Sequence, residues 1–250
     1  MAFIQADCDE VLYGGAAGGG KSYGQLVDAL LFAIKYPGSK QLILRNTYPE
    51  LQRSLILVSY SLYPKNVATY NSSSHVWRFV NGSTIEFGYL ESDKDVQKYQ
   101  SAEYDVIRFD ELTHFSQYQY TYMLSRIRGA NGYPKMAKSS TNPGSKGHAW
   151  VKARFIDPVP PEQIYTDPST GRTRVFIPAK VTDNKFLMAA DPDYLRRLDE
   201  LPDDQRRALK DGDWDVFEGQ YFPEFCRSVH VIEPIEIPKH WRRYFTLDYG

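Results

Sequence analysis

Cysteine is nearly missing from these 250 residues. Cys8 and Cys226 lie far apart without paired spacing, so no disulfide framework is encoded and the chain suits a reducing cytosol. Excess charge of either sign is missing too. With 30 Lys plus Arg against 31 Asp plus Glu, the formal net charge is -1, which excludes a uniformly basic nucleic-acid coat but leaves room for a local basic patch. No apolar run approaches the ~20 residues that a membrane span needs, and the start MAFIQADCDE lacks the basic flank and apolar stretch of a secretory leader. Histidines are few and scattered: His75, His114, His148, His230 and His240 show no metal-ligand spacing and read as packed or solvated residues. No internal repeat or low-complexity tract is present.

What the chain does have is enough apolar content for a sizeable core. A 42% hydrophobic share over 250 residues suits one larger domain, or one domain with a small appendage. EVLYGG is a short strand breaking into glycines, and KSYGQLVDALLFAIKY repeats apolar residues at helical spacing until Pro37 and Gly38 stop it. KQLILRN is a near-continuous apolar strand and the stretch starting at Pro49 a helix, the alternation of a parallel α/β sheet. HVWRFVNGSTIEFGYL interrupts it; the Asn81-Gly82 pair between alternating residues predicts a tight hairpin. YDVIRFDE predicts a buried strand ending in two acids, SQYQYTYMLSRIR a helix, KMAKSSTNPG a strand ending in a polar turn, and RVFIPAKVTDN the last core strand. Beyond residue 185 the sequence turns to short charged helices divided by prolines, which suits a lid or linker subdomain. WRRYFTLDYG is a fresh β-type run with no partner element after it.

Chemistry is concentrated in three places. Gly15, Gly20, Lys21 and Ser22 fit the phosphate-loop pattern G-x-x-x-x-G-K-[ST] between a strand and a helix. The backbone of Gly15, Ala16, Ala17, Gly18, Gly19 and Gly20, with Lys21, Ser22 and Tyr23, is thereby expected to cradle a polyphosphate at the helix's positive end. In that arrangement Lys21 reaches the outer phosphates and Ser22 ligates Mg2+. VIRFDE supplies Asp110 as the metal-side acid, and Glu111 beside it as the base that polarises the attacking water. SSTNPG places Ser140, Thr141 and Asn142 where polar groups sense the terminal phosphate. For the cation that steadies the transition state, Arg126 and Arg128 at a helix end are the first candidates, with Lys98 and Arg45 behind them. The crowded aromatics Tyr99, Tyr104, Phe115, Tyr118, Tyr120 and Tyr122 are not interleaved with cations as a single-strand stacking platform requires, and read as core or subunit contact. The pairs Arg196-Arg197, Arg206-Arg207 and Arg242-Arg243 are mixed with acids and read as a solvated face, though charge alone could bring them to a phosphate backbone.

LYGGAAGGGKS, RNTYPELQRS, FDELTHFSQYQYTYMLSRIR, STNPGSKGHAWVKARF and LKDGDWDVFEGQYFPEF together resemble the large terminase subunit of tailed bacteriophages, over essentially the whole chain. The resemblance implies a phosphate-loop NTPase of the ASCE type, with a mostly parallel central sheet flanked by helices. It implies an ATPase core over 1–184, a lid or linker over 185–244, and over 245–250 the first strand of a truncated RNase H-like nuclease domain. It carries Thr141 and Asn142 over as the coupling motif and Asp248 as the first nuclease metal ligand, which alone cannot cleave DNA. ATP and Mg2+ are the implied cofactors. The implied partners are double-stranded DNA, the procapsid portal, the small terminase subunit and further copies in a ring, a pentamer when assembled, with the monomer left open for the isolated piece. The implied place is the host cytoplasm at the portal, with no membrane contact. Two departures stand beside this. Only Gln5 lies ahead of the phosphate loop, where the family carries an adenine-reading glutamine, and Lys98 stands where some terminases place the trans-acting arginine. A non-motor nucleotide enzyme such as a small-molecule kinase, and a nuclease as the main activity, are the alternatives.

Overall fold

The structure is a computed structural model that describes residues 2–216 and isolated positions between 230 and 244. The chain divides into two compact units, residues 1–220 and 221–250. In the first, a short helix α1 (Ala2–Gln5) leads into strand β1 (Glu10–Gly15) and helix α2 (Lys21–Lys35). Strand β2 (Lys40–Arg45) follows, then a helix whose two α segments, α3 (Tyr48–Leu51) and α4 (Leu57–Leu62), are joined through a π-helical turn, Gln52–Ile56. Thr47 caps it by accepting from the N–H of Glu50, with Pro49 in the first turn, where its missing N–H costs nothing. Strands β3 (Ala68–Asn71), β4 (Val76–Phe79) and β5 (Thr84–Tyr89) come next, then β6 (Val106–Asp110) and helix α5 (Gln117–Leu124). The unit continues with β7 (Met136–Thr141), α6 (His148–Val151), β8 (Ile164–Thr166) and β9 (Thr173–Ala179). It closes on α7 (Lys185–Ala190), α8 (Tyr194–Asp199) and α9 (Asp203–Arg206), the short helices expected beyond residue 185.

The strands form one sheet in the order β3-β4-β5-β2-β6-β7-β1-β9-β8. From β5 to β9 every neighbouring pair is parallel. β7 lies between β1 and β6, so the strand ending in Thr141 separates the glycine loop from the acid pair. This added strand is the mark of the ASCE arrangement. Parallel strands covered on both faces are apolar throughout, and side chains alternate between the two layers: Leu42 and Leu44 join Phe109, Phe115 and Tyr120 on one face, and Ile43 joins Leu26, Leu55 and Trp77 on the other. Of the aromatics around the acid strand, Tyr99, Tyr104, Phe115 and Tyr120 are core, whereas Tyr118 is exposed.

Two edge strands, β3 and β8, have no sequence pattern of their own and exist through antiparallel pairing with β4 and β9. The hairpin at Asn81-Gly82 forms, but less tightly than the dipeptide suggests. β4 and β5 are joined over Val80 to Ser83, the N–H of Gly82 donates to Phe79 O at 3.0 Å and that of Phe79 to Ser83 O at 2.9 Å. Only Gly82 takes positive φ there, whereas a two-residue type I′ turn needs it at both central positions. The Asn81 amide is instead engaged with α2, donating to Ala33 O at 2.8 Å.

A charged cluster is buried between α2 and the sheet. Arg108, fully buried on β6, donates to Asp28, to Gln25 Oε1 and twice to Gln41 Oε1, at 3.2 and 2.9 Å. Lys138 on β7 donates to Asp28 at 2.9 Å, and Gln25 Nε2 reaches Lys138 O at 3.1 Å. Every charge has an opposite or amide partner, the condition under which burial is tolerated.

Candidate nucleotide site

Four neighbouring strands end at one place. β1 runs out at Gly15, β7 at Thr141, β6 at Asp110 and β2 at Arg45, in register across Gly14–Thr141 and Asp110–Ser140. Ligands of open α/β sheets bind at such carboxyl ends.

The glycine loop between β1 and α2 is shaped by the end of β9 and by the segment that follows it. The N–H of Ala16 donates to Ala179 O at 2.9 Å and that of Ala17 to Leu209 O at 2.6 Å. Both amides are therefore used to shape the loop, and the ligand-facing cradle is narrower than its sequence suggests: among the described residues no backbone acceptor takes the N–H of Gly18, Gly19 or Gly20. Asn184 donates from Nδ2 to Gly18 O at 2.8 Å while its Oδ1 caps α7 through the N–H of Leu187. Gly18 has φ +71°, and a Cβ there would stand 2.7 Å from the Tyr194 ring, so any larger residue would push α8 away from the loop. A cleft of about 290 Å³ results, lined by Ala17 to Tyr23 with Glu111, Asn142, Asn184 and Leu187.

Lys21 and Ser22 open α2 into this cleft. Lys21, buried, donates to Ala16 O and to Asn142 Oδ1, both at 2.6 Å. Burial holds its ammonium below the usual lysine range, against the pull of Glu111 and Asp110. The Ser22 hydroxyl donates to Asp110 Oδ1 at 2.9 Å, and Ser140 donates to the same oxygen at 2.8 Å. Ser140, expected among the phosphate sensors, thus orients the acid.

Glu111 stands one residue past β6 with φ +59°, a backbone state uncommon for a residue with a Cβ. Its Oε2 lies 3.4 Å from the N–H of Asn142 and 3.5 Å from the Thr141 hydroxyl. Burial, followed by repulsion from Asp110, raises its carboxyl above the ordinary range, with Lys21 and Arg45 opposing. A base needs a proton affinity above that of a surface carboxylate, and this environment supplies it. Thr141 and Asn142 are wired in turn to Thr113, whose hydroxyl is 2.8 Å from that of Thr141 and 3.2 Å from Asn142 O. Beyond them His148 accepts the N–H of Gly144 on Nδ1 at 2.9 Å, and its Nε2 is 3.2 Å from Trp214 O.

The residues fit a magnesium nucleotide. Hard oxygen donors on Ser22 and Asp110 suit Mg2+, and amides at a helix start with a lysine suit phosphates. A family profile, terminase large subunit, T4likevirus-type, N-terminal, matches residues 12–228. The chain belongs to this terminase large subunit family. Large terminase from a thermophilic bacteriophage, solved in complex with ADP, has a similar fold, with a TM-score of 0.67 at 14% identity over 85% of this chain and 52% of that one. The chain thus spans about half the length of that terminase. The large terminase ATPase domain of Thermus phage P74-26 is similar at TM-score 0.52 and 15% identity, over 85% of this chain and 91% of that one. The bacteriophage phi-29 viral genome packaging motor assembly is similar at TM-score 0.50 and 14% identity, over 88% and 67%. No curated protein matches the chain in sequence.

Not every expected residue of this terminase reaches the cleft. Arg126 and Arg128 lie past the end of α5, where their backbones pair with Tyr104 ahead of β6. Arg126 donates to Gln100 O, and Arg128 pairs with Glu103 at 3.4 Å. That is the amino-terminal edge of the sheet, about 20 Å along β6 from Asp110, so neither can serve its own chain's cleft. Lys98 pairs with Asp95 at 2.8 Å and lies over the Tyr89 ring. Gln5 lines a different and larger cleft of about 500 Å³ with Asp28, Lys35 and Lys138 at the far end of α2. Arg196, Arg197, Arg206 and Arg207 each pair with a nearby aspartate, as a solvated face does. Asp248, the rest of residues 245–250 and Arg243 lie outside the described residues. Arg45, ranked behind the others by sequence, is the arginine that meets the acids, with Nη1 2.5 Å from Asp110 Oδ2. Asn184 has a helix-capping signal in TDNK, but nothing local points it at Gly18.

Proposed function

We propose that this chain is the ATPase portion of a viral genome-packaging motor, hydrolysing ATP with Mg2+ and converting the cycle into translocation of double-stranded DNA. The observation that carries the reading is the convergence of Lys21, Ser22, Asp110, Glu111 and Asn142 from three neighbouring strand ends, in a chain of the terminase large subunit family. The Gly18 to Ser22 amides and Lys21 bind the phosphates, and Ser22 with Asp110 holds the metal. When bound, Mg2+ neutralises phosphate charge. Glu111 accepts the proton of the attacking water at its carboxylate. Lys21, now held by the neutral Asn142 oxygen, turns to the charged phosphates on binding and releases that amide. Asn142 then reports the state of the cleft through Thr113 and His148 to Trp214, while Asn184 and Leu209 move with the glycine loop. The segment over 185–244 acts as the lid or linker, and Arg126 or Arg128 can act only on another subunit's nucleotide.

On the same reading the assembled protein is a homo-oligomeric, pentameric ring that works with the portal and the small terminase subunit in the host cytoplasm. No helix among the described residues is long and apolar enough to cross a membrane. DNA cleavage belongs to a following nuclease domain that Asp248 opens, because a two-metal site needs several carboxylates. The test is DNA-stimulated ATP turnover of the full-length protein with its procapsid. Glu111→Ala should cut it by about 10²–10⁴-fold, and unchanged turnover removes Glu111 as the base.

A further inference from the structure

Arg45 has no part in the chemistry above, yet it holds the metal-side acid. As the last residue of β2, just past the Leu44–Phe109 register pair, it brings its guanidinium beside the end of β6. Nη1 donates to Asp110 Oδ2 at 2.5 Å and to the Ser54 hydroxyl at 3.0 Å. Ser54 sits on the π-helical turn and itself donates to Glu50 O at 2.7 Å. The buried Arg45 Nε and Glu50 Oε2 have no hydrogen-bond partner and stand 3.7 Å apart. The guanidinium is therefore fixed chiefly through Asp110 and Ser54, and Asp110 has all of its near partners filled: Ser22, Ser140 and Arg45.

Around the metal position itself, without a ligand, the carboxylates of Asp110 and Glu111 face the cations of Lys21 and Arg45; a third acid, Glu50, is 42% exposed and meets Arg45 only at Nε, 3.7 Å away. A divalent ion arriving alone would have to share Asp110, itself only 1% exposed, with a guanidinium already on it, and like charges a few ångströms apart repel most where water is scarce. A polyphosphate brings several negative charges and reverses that balance. We infer that Arg45 is a positioning residue that makes metal loading conditional on nucleotide: it fixes the Asp110 carboxylate against Ser22 and keeps a free divalent cation out. The inference rests on the reading of Ser22 and Asp110 as the metal side.

The probe is Mn2+, titrated by electron paramagnetic resonance into the nucleotide-free full-length protein. Wild type should bind it weakly, and Arg45→Gln at least about tenfold more tightly, the change expected on deleting one adjacent positive charge. A gain that belongs to the site, and not to carboxylates exposed by a damaged fold, should vanish in Arg45→Gln combined with Asp110→Asn. Arg45→Lys and Ser54→Ala, which keep the charge, should exclude Mn2+ as wild type does. Equal Mn2+ binding by wild type and Arg45→Gln overturns the inference, as does admission by either charge-keeping variant, which also serves if Arg45→Gln does not fold. A fluorescent ADP analogue with Mg2+ tests the underlying reading separately. If wild type fails to bind it, the nucleotide site itself is wrong; if it binds and Mn2+ behaves equally in both proteins, only the role of Arg45 is.

Discussion

Arg108 and Arg45 lie on adjacent strands, β6 and β2, both sheltered and both paired with an aspartate, and their surroundings differ in one respect. Arg108 is fully buried and donates from Nε, Nη1 and Nη2 to Asp28, Gln25 and Gln41. Arg45 keeps an Nε that makes no hydrogen bond and stands 3.7 Å from Glu50, and it touches an acid that also holds Ser22 and Ser140. In the first cluster the charges pair within the fold, although Asp28 and Lys138 border the cleft of about 500 Å³ at the far end of α2. The second is incomplete, with a lysine parked on an amide oxygen, a strained glutamate and loop amides left over. Between these two clusters, buried charge is common to both and unfinished pairing is what differs.

That contrast can be broken at either end. Lys21→Ala should lower kcat/KM for ATP by about 10²–10³-fold, as loss of a charge-stabilising donor does, while leaving the urea unfolding midpoint near wild type. Asp28→Ala should do the reverse. It strands Arg108 and Lys138, costs about 3–5 kcal/mol in urea unfolding, and leaves nucleotide affinity of the folded fraction unchanged. If Asp28→Ala weakens nucleotide binding at full folding, the scaffold and the site are one cluster and the distinction fails.

Gly212→Ala probes the boundary between them. Gly212 has φ +69°, and a Cβ there would meet Ala16 N at 2.7 Å and Gly15 Cα at 2.9 Å. The variant should lose about 1–2 kcal/mol of stability and also bind a fluorescent nucleotide more weakly, because Leu209 shapes the loop through Ala17. Loss of stability with full affinity would detach residues 207–212 from the cradle.

The smallest effect is a matter of sign. Glu111 has its folded carboxyl raised from 4.5 by burial and by Asp110, so the fold retains a proton that the unfolded chain releases. Below the unfolded value both states are protonated and the group contributes no difference; as pH rises from there through the raised value, stability is lost. Glu111→Gln should therefore match wild type in melting temperature near pH ~4 and exceed it near pH ~8. Wild-type turnover should rise with pH over the same window. A melting advantage that is greatest in acid would reverse the assignment of Glu111.

Much of this was legible before any coordinates. Gly15 to Ser22, Asp110-Glu111 and Thr141-Asn142 are local signatures, and each sits where its flanking strand and helix predict. The edge strands β3 and β8 were not legible, because an edge strand takes its pairing from a neighbour rather than from its own alternation. For Arg126 and Arg128 the sequence left open whose nucleotide they would serve, because a helix-end arginine carries no sign of which edge of the sheet it faces.

The sequence by itself determined the phosphate loop, the acid pair and the alternation of strands with helices, since each depends on residues within one or two turns of chain. Only the tertiary structure decided that Arg45 meets Asp110, that Asn184 and Leu209 shape the glycine loop, and that Arg108 is scaffold rather than site. Those contacts join residues 65 to 192 positions apart, and charge pairing acts through space, where sequence spacing holds no information until the sheet is assembled.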